Sequence, residues 1–596
     1  MSPFLSAVTE GVPPAGGAAF TEIVIASVAA AVVTAGLLVV GIGHRRGTVP
    51  YLGRLAALSE RASGQPGWAA LPAAVASGAL LIAVFGMYWD IALHIGVGRD
   101  EGPLANPAHY FILIGLYGIF SAGFLAMVLP RGRASTTAIR ISRDWHAPLG
   151  GVLICACGAF SLVGFPLDDV WHRLFGQDVT LWGPTHLMLI GGASMTLVGI
   201  AVLQVEGMRA NAAAGASRER HWVHRLRIIA LTGGFLVGLS TFQAEFDFGV
   251  PQFRFVFQPM LIMLAAGGAL VAARVWLGRG AALGAVAFYL LIRGGLAVFV
   301  GPVFGEPTPH LPTYLAEAVI VELVALVIAR ERPLALGAWC GVLIGTVGLA
   351  AEWGWSHVWM PLPWPSQLLP EAAILGFAMA LAGSIIGAWI GTRLGSDILP
   401  RTRSLRAAGA VAAAGVAAMI AFAMYTPEDG PAVSATVAVE EVRGGPERTV
   451  NATLTLRPRD AGRDADWITV TAWQGGGLVV DRLREVGAGV YETTRPIPVH
   501  GDWKSIVRLH EGNALTGVPI YLPADAAIPA QGVPATARFA RTFVPDHKIL
   551  QREQRSTAGT LPLLAYGVVL ALALGLLALL AWGLHRLAVH APRRVA

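Results

Sequence analysis

Charge is scarce in this 596-residue chain: 13% of its residues are Asp, Glu, Lys or Arg, against 55% hydrophobic. A water-soluble protein of this length cannot cover itself with so little polar surface, so that class is excluded. Cysteine is nearly missing too. Cys155, Cys157 and Cys340 all lie in apolar runs, and none falls in the polar segment near the C-terminus. A disulfide framework is thereby excluded from that segment. Cys-x-Cys on a helix points two thiols to different faces, which is poor metal-clamping geometry and suits packing. No phosphate-binding loop, dinucleotide fingerprint or His-Glu-x-x-His run occurs. The first apolar run lacks a basic stretch before it, so it is expected to be a span and not a cleaved leader.

What is present is a series of apolar runs long enough to cross a bilayer. They predict about thirteen spans, near 21–43, 70–95, 108–130, 148–166, 185–205, 228–246, 257–277, 281–301, 313–331, 335–352, 371–393, 406–424 and 561–586. The 72 glycines suit helices that approach closely in lipid. The formal charge of +6 comes from Arg in short loops, which is a footprint of membrane orientation and no sign of nucleic-acid binding. Every second loop is basic, from Arg45, Arg46, Arg54 and Arg61 through Arg209, Arg218 and Arg220 to Arg593 and Arg594. The positive-inside rule places these loops in the cytoplasm of a multi-pass inner or plasma membrane protein. The N-terminus is then outside and the C-terminus inside. Tryptophans 89, 171, 182, 353, 355, 359 and 364 at the outward ends read as an aromatic belt.

Residues 430–550 change character. VSATVAVEEV, RTVNATLTLRP and DWITVTAWQ alternate polar and apolar residues at period two, with Gly-Gly and Asp-Gly punctuation. The expected fold is therefore an all-α polytopic bundle of helix pairs, residues 1–424. An extracytoplasmic all-β sandwich of seven or so strands follows at 425–560, then a last helix and tail at 561–596. His500, His510 and His547 of the β segment read best as solvated loop histidines.

An internal repeat carries the chemistry. MYWDIALHIGVGRDEGPLANPAHYFILIG in one helix pair aligns with FPLDDVWHRLFGQDVTLWGPTHLMLIGG in the next. Asp90 stands four residues before His94, as Asp168 does before His172, and residues four apart share a helix face. Asp100 and Asp178 each follow the first His by six. Pro107 with His109, and Pro184 with His186, open the returning helix, where Pro at the first position is pre-organised. Asp169 adds a further acid. Each hairpin can thus bring one carboxylate and two imidazoles together near the outer interface, a set suited to copper, zinc or iron. Weaker echoes are Glu245 and Asp247, His310, and Glu352 with His357. Glu317 and Glu322 lie inside the ninth predicted span.

The run Asp90, His94, Arg99, Asp100, His109, and its second copy Asp168, His172, Asp178, His186, resembles the metal-binding helix pair of the C subunit of copper membrane monooxygenases, the particulate methane and ammonia enzymes. The segment around Pro498, Gly501, Asp502, Trp503 and Lys504 resembles small immunoglobulin-like or cupredoxin-like periplasmic domains. The first resemblance implies copper near the outer face. Three functions stay open: an oxidoreductase or monooxygenase acting on a small apolar substrate, a copper transport or delivery protein, and a non-metal scaffold or assembly factor for partner subunits. A transporter needs polar groups through the full depth of the bundle, whereas an enzyme needs them at one end only.

Overall fold

A computed structural model of the chain describes residues 19–590 except 101, 103, 178, 179, 216–220, 330, 396–402, 427–431, 556 and 558. Helices α1 (Phe20–Arg46), α2 (Pro50–Ser63), α3 (Gly67–Gly96) and α4 (Pro107–Val128) come first, then a hairpin of β1 (Ile139–Ser142) and β2 (Trp145–Ala147). Next are α5 (Leu149–Phe175), α6 (Pro184–Ala213), α7 (His221–Ser240), α8 (Ala244–Phe248), α9 (Phe257–Leu277) and α10 (Ala281–Val298). The set continues with α11 (Leu315–Val327), α12 (Pro333–Leu343), α13 (Leu349–Trp359), α14 (Leu369–Leu394) and α15 (Arg403–Met424). After the β region and a one-turn α16 (His547–Leu550), α17 (Leu561–Val589) ends the described chain.

Among the described residues, twelve helical segments are long and apolar enough to cross a membrane, with α7–α8 and α12–α13 each forming one such segment. The predicted ninth span is the exception. Prolines 307, 309 and 312 deny helix to the chain ahead of it. Only the 13-residue α11 forms there, about 20 Å long at 1.5 Å per residue, yet the segment still runs along α10, from His310 at Arg293 to Glu322 at the Gly280 and Ala282 amides, so it makes the crossing with its first part unwound. Five-residue π-helical turns interrupt the neighbouring segments at Phe299–Val303 and Ile344–Gly348.

Small residues set the helix pairs. A Cβ on Gly115 of α4 would come within 2.6 Å of the Ala83 Cβ on α3, and one on Gly86 within 2.8 Å of the Ile112 amide nitrogen. The α5–α6 pair closes likewise at Gly192, against Ser161, and α4–α5 at Gly123, against Cys155. Two large helical cores result, beside two smaller clusters around Tyr88 and around Leu52. One is built on α3–α6 and includes Leu576, Leu580, Leu584 and Leu587 of α17; the other runs through α7, α9–α12 and α14.

The β region is a two-sheet sandwich. Strands β3 (Ser434–Arg443), β4 (Thr449–Arg457), β7 (Arg484–Gly487), β8 (Val490–Glu492), β9 (Ile497–Pro498) and β12 (Arg538–Thr542) make one sheet, in order β12-β3-β4-β8-β7 with β9 also on β4. Strands β5 (Trp467–Trp473), β6 (Leu478–Arg482), β10 (Lys504–Glu511), β11 (Ala514–Tyr521) and β13 (Val544–Pro545) make the other, ordered β13-β11-β10-β5-β6. The strands number eleven, more than the alternation alone predicts, because β8, β9 and β13 are pieces of two or three residues. Val437, Leu454, Val470, Val507 and Val518 fill the space between the sheets.

His510 departs from its expected place in a solvated loop. It is fully buried on β10, stacks on Trp467 at 3.8 Å between ring centroids, and meets Asp546 Oδ2 at 2.7 Å. Burial pulls its pKa down to about 4, against the charge of Asp546. It is thus a neutral structural group.

The α3–α4 contact gives a first prediction. Gly115→Val should overpack it and destabilise the protein by about 1–3 kcal/mol, read as a lower thermal unfolding temperature of the purified protein. An unchanged temperature would show that the hairpin does not depend on this approach.

Candidate metal centres

Asp90 and His94 lie in the last two turns of α3, His109 in the first turn of α4, and Asp100 in the loop between them. The structure brings all four together: ligand atoms of Asp90, His94, Asp100 and His109 lie within 4.8 Å of one another. The His94 Nε2 is 3.5 Å from Asp90 Oδ1 and 3.5 Å from Asp100 Oδ2; the His109 Nε2 is 3.1 Å and 3.7 Å from the same atoms. Donors held 2.0–2.1 Å from a tetrahedral ion stand about 3.3–3.4 Å apart. The four atoms therefore already outline such a cage, and two carboxylates with two neutral imidazoles balance a divalent charge.

In the second hairpin, Asp168, His172 and His186 form a second group. The Asp168 Oδ1 is 3.7 Å from His172 Nε2 and 3.3 Å from His186 Nε2. Asp178 lies outside the described residues. Asp169 does not join the group's distances; it forms an ion pair with Arg173 at 2.7 Å, one turn further along α5.

Backbone carbonyls fix the imidazoles. A carbonyl only accepts, so the His94 Nδ1–H must donate to Gly98 O at 3.0 Å, and the His186 Nδ1–H to Thr180 O at 2.7 Å. Each contact leaves Nε2 as the ring nitrogen that faces the carboxylates, which is how metal-binding histidines are usually oriented. Asn106 does the same for the acids. Its side-chain oxygen caps α4 by accepting from the Ala108 amide, and its amide group donates to Asp90 Oδ1 at 2.6 Å and Asp100 Oδ2 at 3.1 Å. In the second copy Thr185 donates to Asp168 Oδ1 at 2.6 Å. Neither residue stands out in the sequence motif, although Asn before Pro is a helix-start signal.

The β sandwich sits on the helix ends that carry these ligands. In the turn between β5 and β6, the Gln474 amide donates to Ile95 O at 2.9 Å, the Gly476 amide to Gly96 O at 2.9 Å, and the Gln474 side chain to His94 O at 3.2 Å. Past the sandwich, the Arg555 amide donates to Phe175 O at 2.7 Å, at the end of α5. Arg99 turns away from the metal ligands. It meets Glu553 at 2.7 Å and Asp525 at 2.8 Å, and these partners raise its pKa although burial works the other way.

Both groups line one cavity of about 1120 Å³. Its polar wall holds the two ligand sets with Glu245, Gln474, Lys504 and Glu553. Beneath them the wall is mostly apolar, formed by Leu80, Ile112, Leu116, Leu189, Leu197 and Phe288 among others, with the hydroxyl residues Ser194 and Thr241. From His186 to Leu197 along α6 this slot runs about 16 Å at 1.5 Å per residue.

The weaker candidates are not gathered into ligand sets, since among the described residues only the two groups above have metal-holding proximity. Glu245 accepts from the Thr180 hydroxyl and the Leu181 and Gln252 amides, pinning the loop before α6. Asp247 pairs with Arg293 at 2.7 Å, and His310 contacts the Asp247 carbonyl. Glu352 binds the start of α11, and His357 bonds the Trp353 carbonyl of its own helix. Their spacing imitates the motif, but helix rotation aims each at a different neighbour.

No family model matches the chain, and no curated protein or solved structure matches it either. The likeness to copper monooxygenases thus stands on the motif and no more.

Two predictions follow from this geometry. Asn106→Ala should weaken metal binding at the first site by about 10–100-fold and spare the second, as read by competition against a chromophoric chelator. Equal loss at both sites would mean general damage. Lys504 is one of only two lysines, with Lys548. Burial holds it down at about 8, with Glu553 opposing and Arg552 and Arg99 reinforcing. Glu553→Gln removes the larger of the two favourable charges, the other being Asp525, so the Lys504 pKa should fall further, followed by NMR of ¹³C-methylated lysines. A rise would contradict the assigned contact.

Proposed function

We propose that this chain is an integral membrane metalloprotein that holds copper at two Asp/His/His sites and acts as an oxidoreductase on a small apolar substrate. The observation that carries the reading is the pairing of two pre-oriented ligand cages with an apolar slot beneath them. In the first cage Asp90, His94, Asp100 and His109 would hold the ion, and in the second Asp168, His172 and His186. Two imidazoles with carboxylate suit copper, and also iron or zinc. A redox metal there would supply one-electron chemistry. The residues around it orient the ligands, turn Nε2 toward the carboxylates and admit an apolar molecule from the bilayer side of the slot. The motif-level likeness to copper membrane monooxygenases supports the choice of metal. The basic loops support a cell-membrane orientation with the N-terminus, both sites and the β sandwich outside.

A copper transport role is less well supported. A transport path would continue in polar groups below the sites, yet Ile112, Leu116, Leu189 and Leu197 line the cavity there. A scaffold role would leave unexplained why four Nε2 atoms converge on acids whose own orientation is fixed.

The test is metal content by mass spectrometry of the purified chain and of the His94→Ala, His172→Ala double variant. Copper at roughly one ion per tetrahedral site, lost in the variant, is expected. Near-zero metal in both preparations ends the reading, and zinc or iron in place of copper would reassign the metal while keeping the sites.

A further inference from the structure

The second helical core holds a feature the metal sites do not use. The chain between Phe304 and Tyr314 is not helical, and α11 starts abruptly at Leu315. Tyr314, directly before it, has φ 54°, the left-handed region that a tyrosine seldom adopts. Glu352 of α13 holds this start in place. Its carboxylate accepts from the Thr313 amide at 3.0 Å, the Thr313 hydroxyl at 2.9 Å and the Tyr314 amide at 2.7 Å. The positive end of the short helix therefore already balances the charge of Glu352.

Glu317 has no such balance. It is fully buried on the first turn of α11, and neither carboxylate oxygen has a hydrogen-bonding partner from another residue. It lies against the π-helical turn: a Cβ on Gly348 would come within 3.1 Å of Glu317 Oε1, one turn from Glu352. The hydroxyl of Tyr314, also buried, has no hydrogen-bonding partner. Tyr289 of α10 packs its ring 5.0 Å from that of Tyr314. The arginines of this core are committed elsewhere. Arg293 meets Asp247 at 2.7 Å and His310 O at 2.8 Å, and Arg274 meets Glu322 at 3.0 Å.

A bare carboxylate in such surroundings costs many kcal/mol unless it is neutralised. Interrupted helices whose ends meet at membrane depth are where membrane proteins bind small ions, and π-helical turns gather at functional sites. We propose that Glu317, with Glu352 and Tyr314, forms a binding site for one small monovalent cation, a proton or Na⁺, at the break before α11. Two carboxylates face one helix N-terminus worth about half a positive charge, so at least one further positive charge is needed there. The groups around the site are Tyr314 on its own helix, Tyr289 and Arg293 on α10, Asp247 on α8, and Glu352 on α13.

The full chain in lipid nanodiscs tests this by infrared spectroscopy and thermal unfolding, with pH and NaCl as probes and choline chloride as the control. If the occupant is a proton, the wild type shows a protonated-carboxyl C=O stretch that is lost in Glu317→Gln and unmoved by NaCl. If it is Na⁺, NaCl raises the unfolding temperature of the wild type, choline chloride does not, and Glu317→Gln abolishes the response. A wild type with neither signature, or a Glu317→Gln variant that keeps whichever is present, overturns the proposal. Should Glu317→Gln fail to fold, Gly348→Ala crowds the same carboxylate and is expected to shift the stretch or weaken the Na⁺ response. A Gly348→Ala protein identical to wild type in both would equally overturn it.

Discussion

The ends of α3 and α5 are the constraint on which the rest depends. A helix leaves its last carbonyls without partners, and at a membrane boundary those groups must be satisfied by something. Here the partner is the C-terminal β region: the turn after β5 takes the carbonyls of His94, Ile95 and Gly96, and the strand of chain after α16 takes that of Phe175. These are the same turns of helix that carry Asp90, His94, Asp168 and His172. Moving the sandwich would move these side chains, so the β region is part of the framework that holds the two Asp/His groups together. The Arg99 contacts with Glu553 and Asp525 add a charged clasp at the same junction, one loop residue from Asp100.

Much of this was legible in the sequence. Hydropathy gave the spans because lipid demands about twenty apolar residues per crossing, and period-two alternation gave the sandwich because its strands bury one face. The i, i+4 spacing of Asp90 and His94, and of Asp168 and His172, gave the ligand groups because a helix places such residues on one face. The illegible parts are tertiary. Nothing local marks Gln474 or Glu553 as neighbours of α3, since they are hundreds of residues away in the chain. Asn106 was overlooked, although its place before Pro107 is a capping signal. The ninth span is shorter as a helix than its apolar run because Pro307, Pro309 and Pro312 hold the chain ahead of it extended, an effect on the backbone that the hydropathy of 313–331 does not register. Glu245, Asp247 and Glu352 misled. Their spacing fits, but each one serves a backbone amide or an arginine beside it.

The two large helical cores divide the polar groups between them. Around α3–α6 the clustered acids and imidazoles lie at one end and most of the rest of the cavity wall is apolar, while Glu206 is buried toward the other end of α6 on the Leu149 and Gly150 amides. Around α9–α14 the buried charges lie within the core itself, paired as Asp247 with Arg293 and Glu322 with Arg274, or set against a helix start as Glu352 is. Buried ion pairs like these recover little net stability after desolvation. Close glycine contacts such as Gly383 on Leu264 and Gly387 on Gly268 hold α9 and α14 together instead.

Because the groups that close over α3 and α5 belong to residues 474 to 555, the order of synthesis matters. The ribosome delivers both hairpins long before the chain that covers them, and α17, which wedges Gly583 against Leu153 of α5, arrives last. Until residues 474 to 555 have been made, the carbonyls at the ends of α3 and α5 lack the amides that cover them in the folded chain.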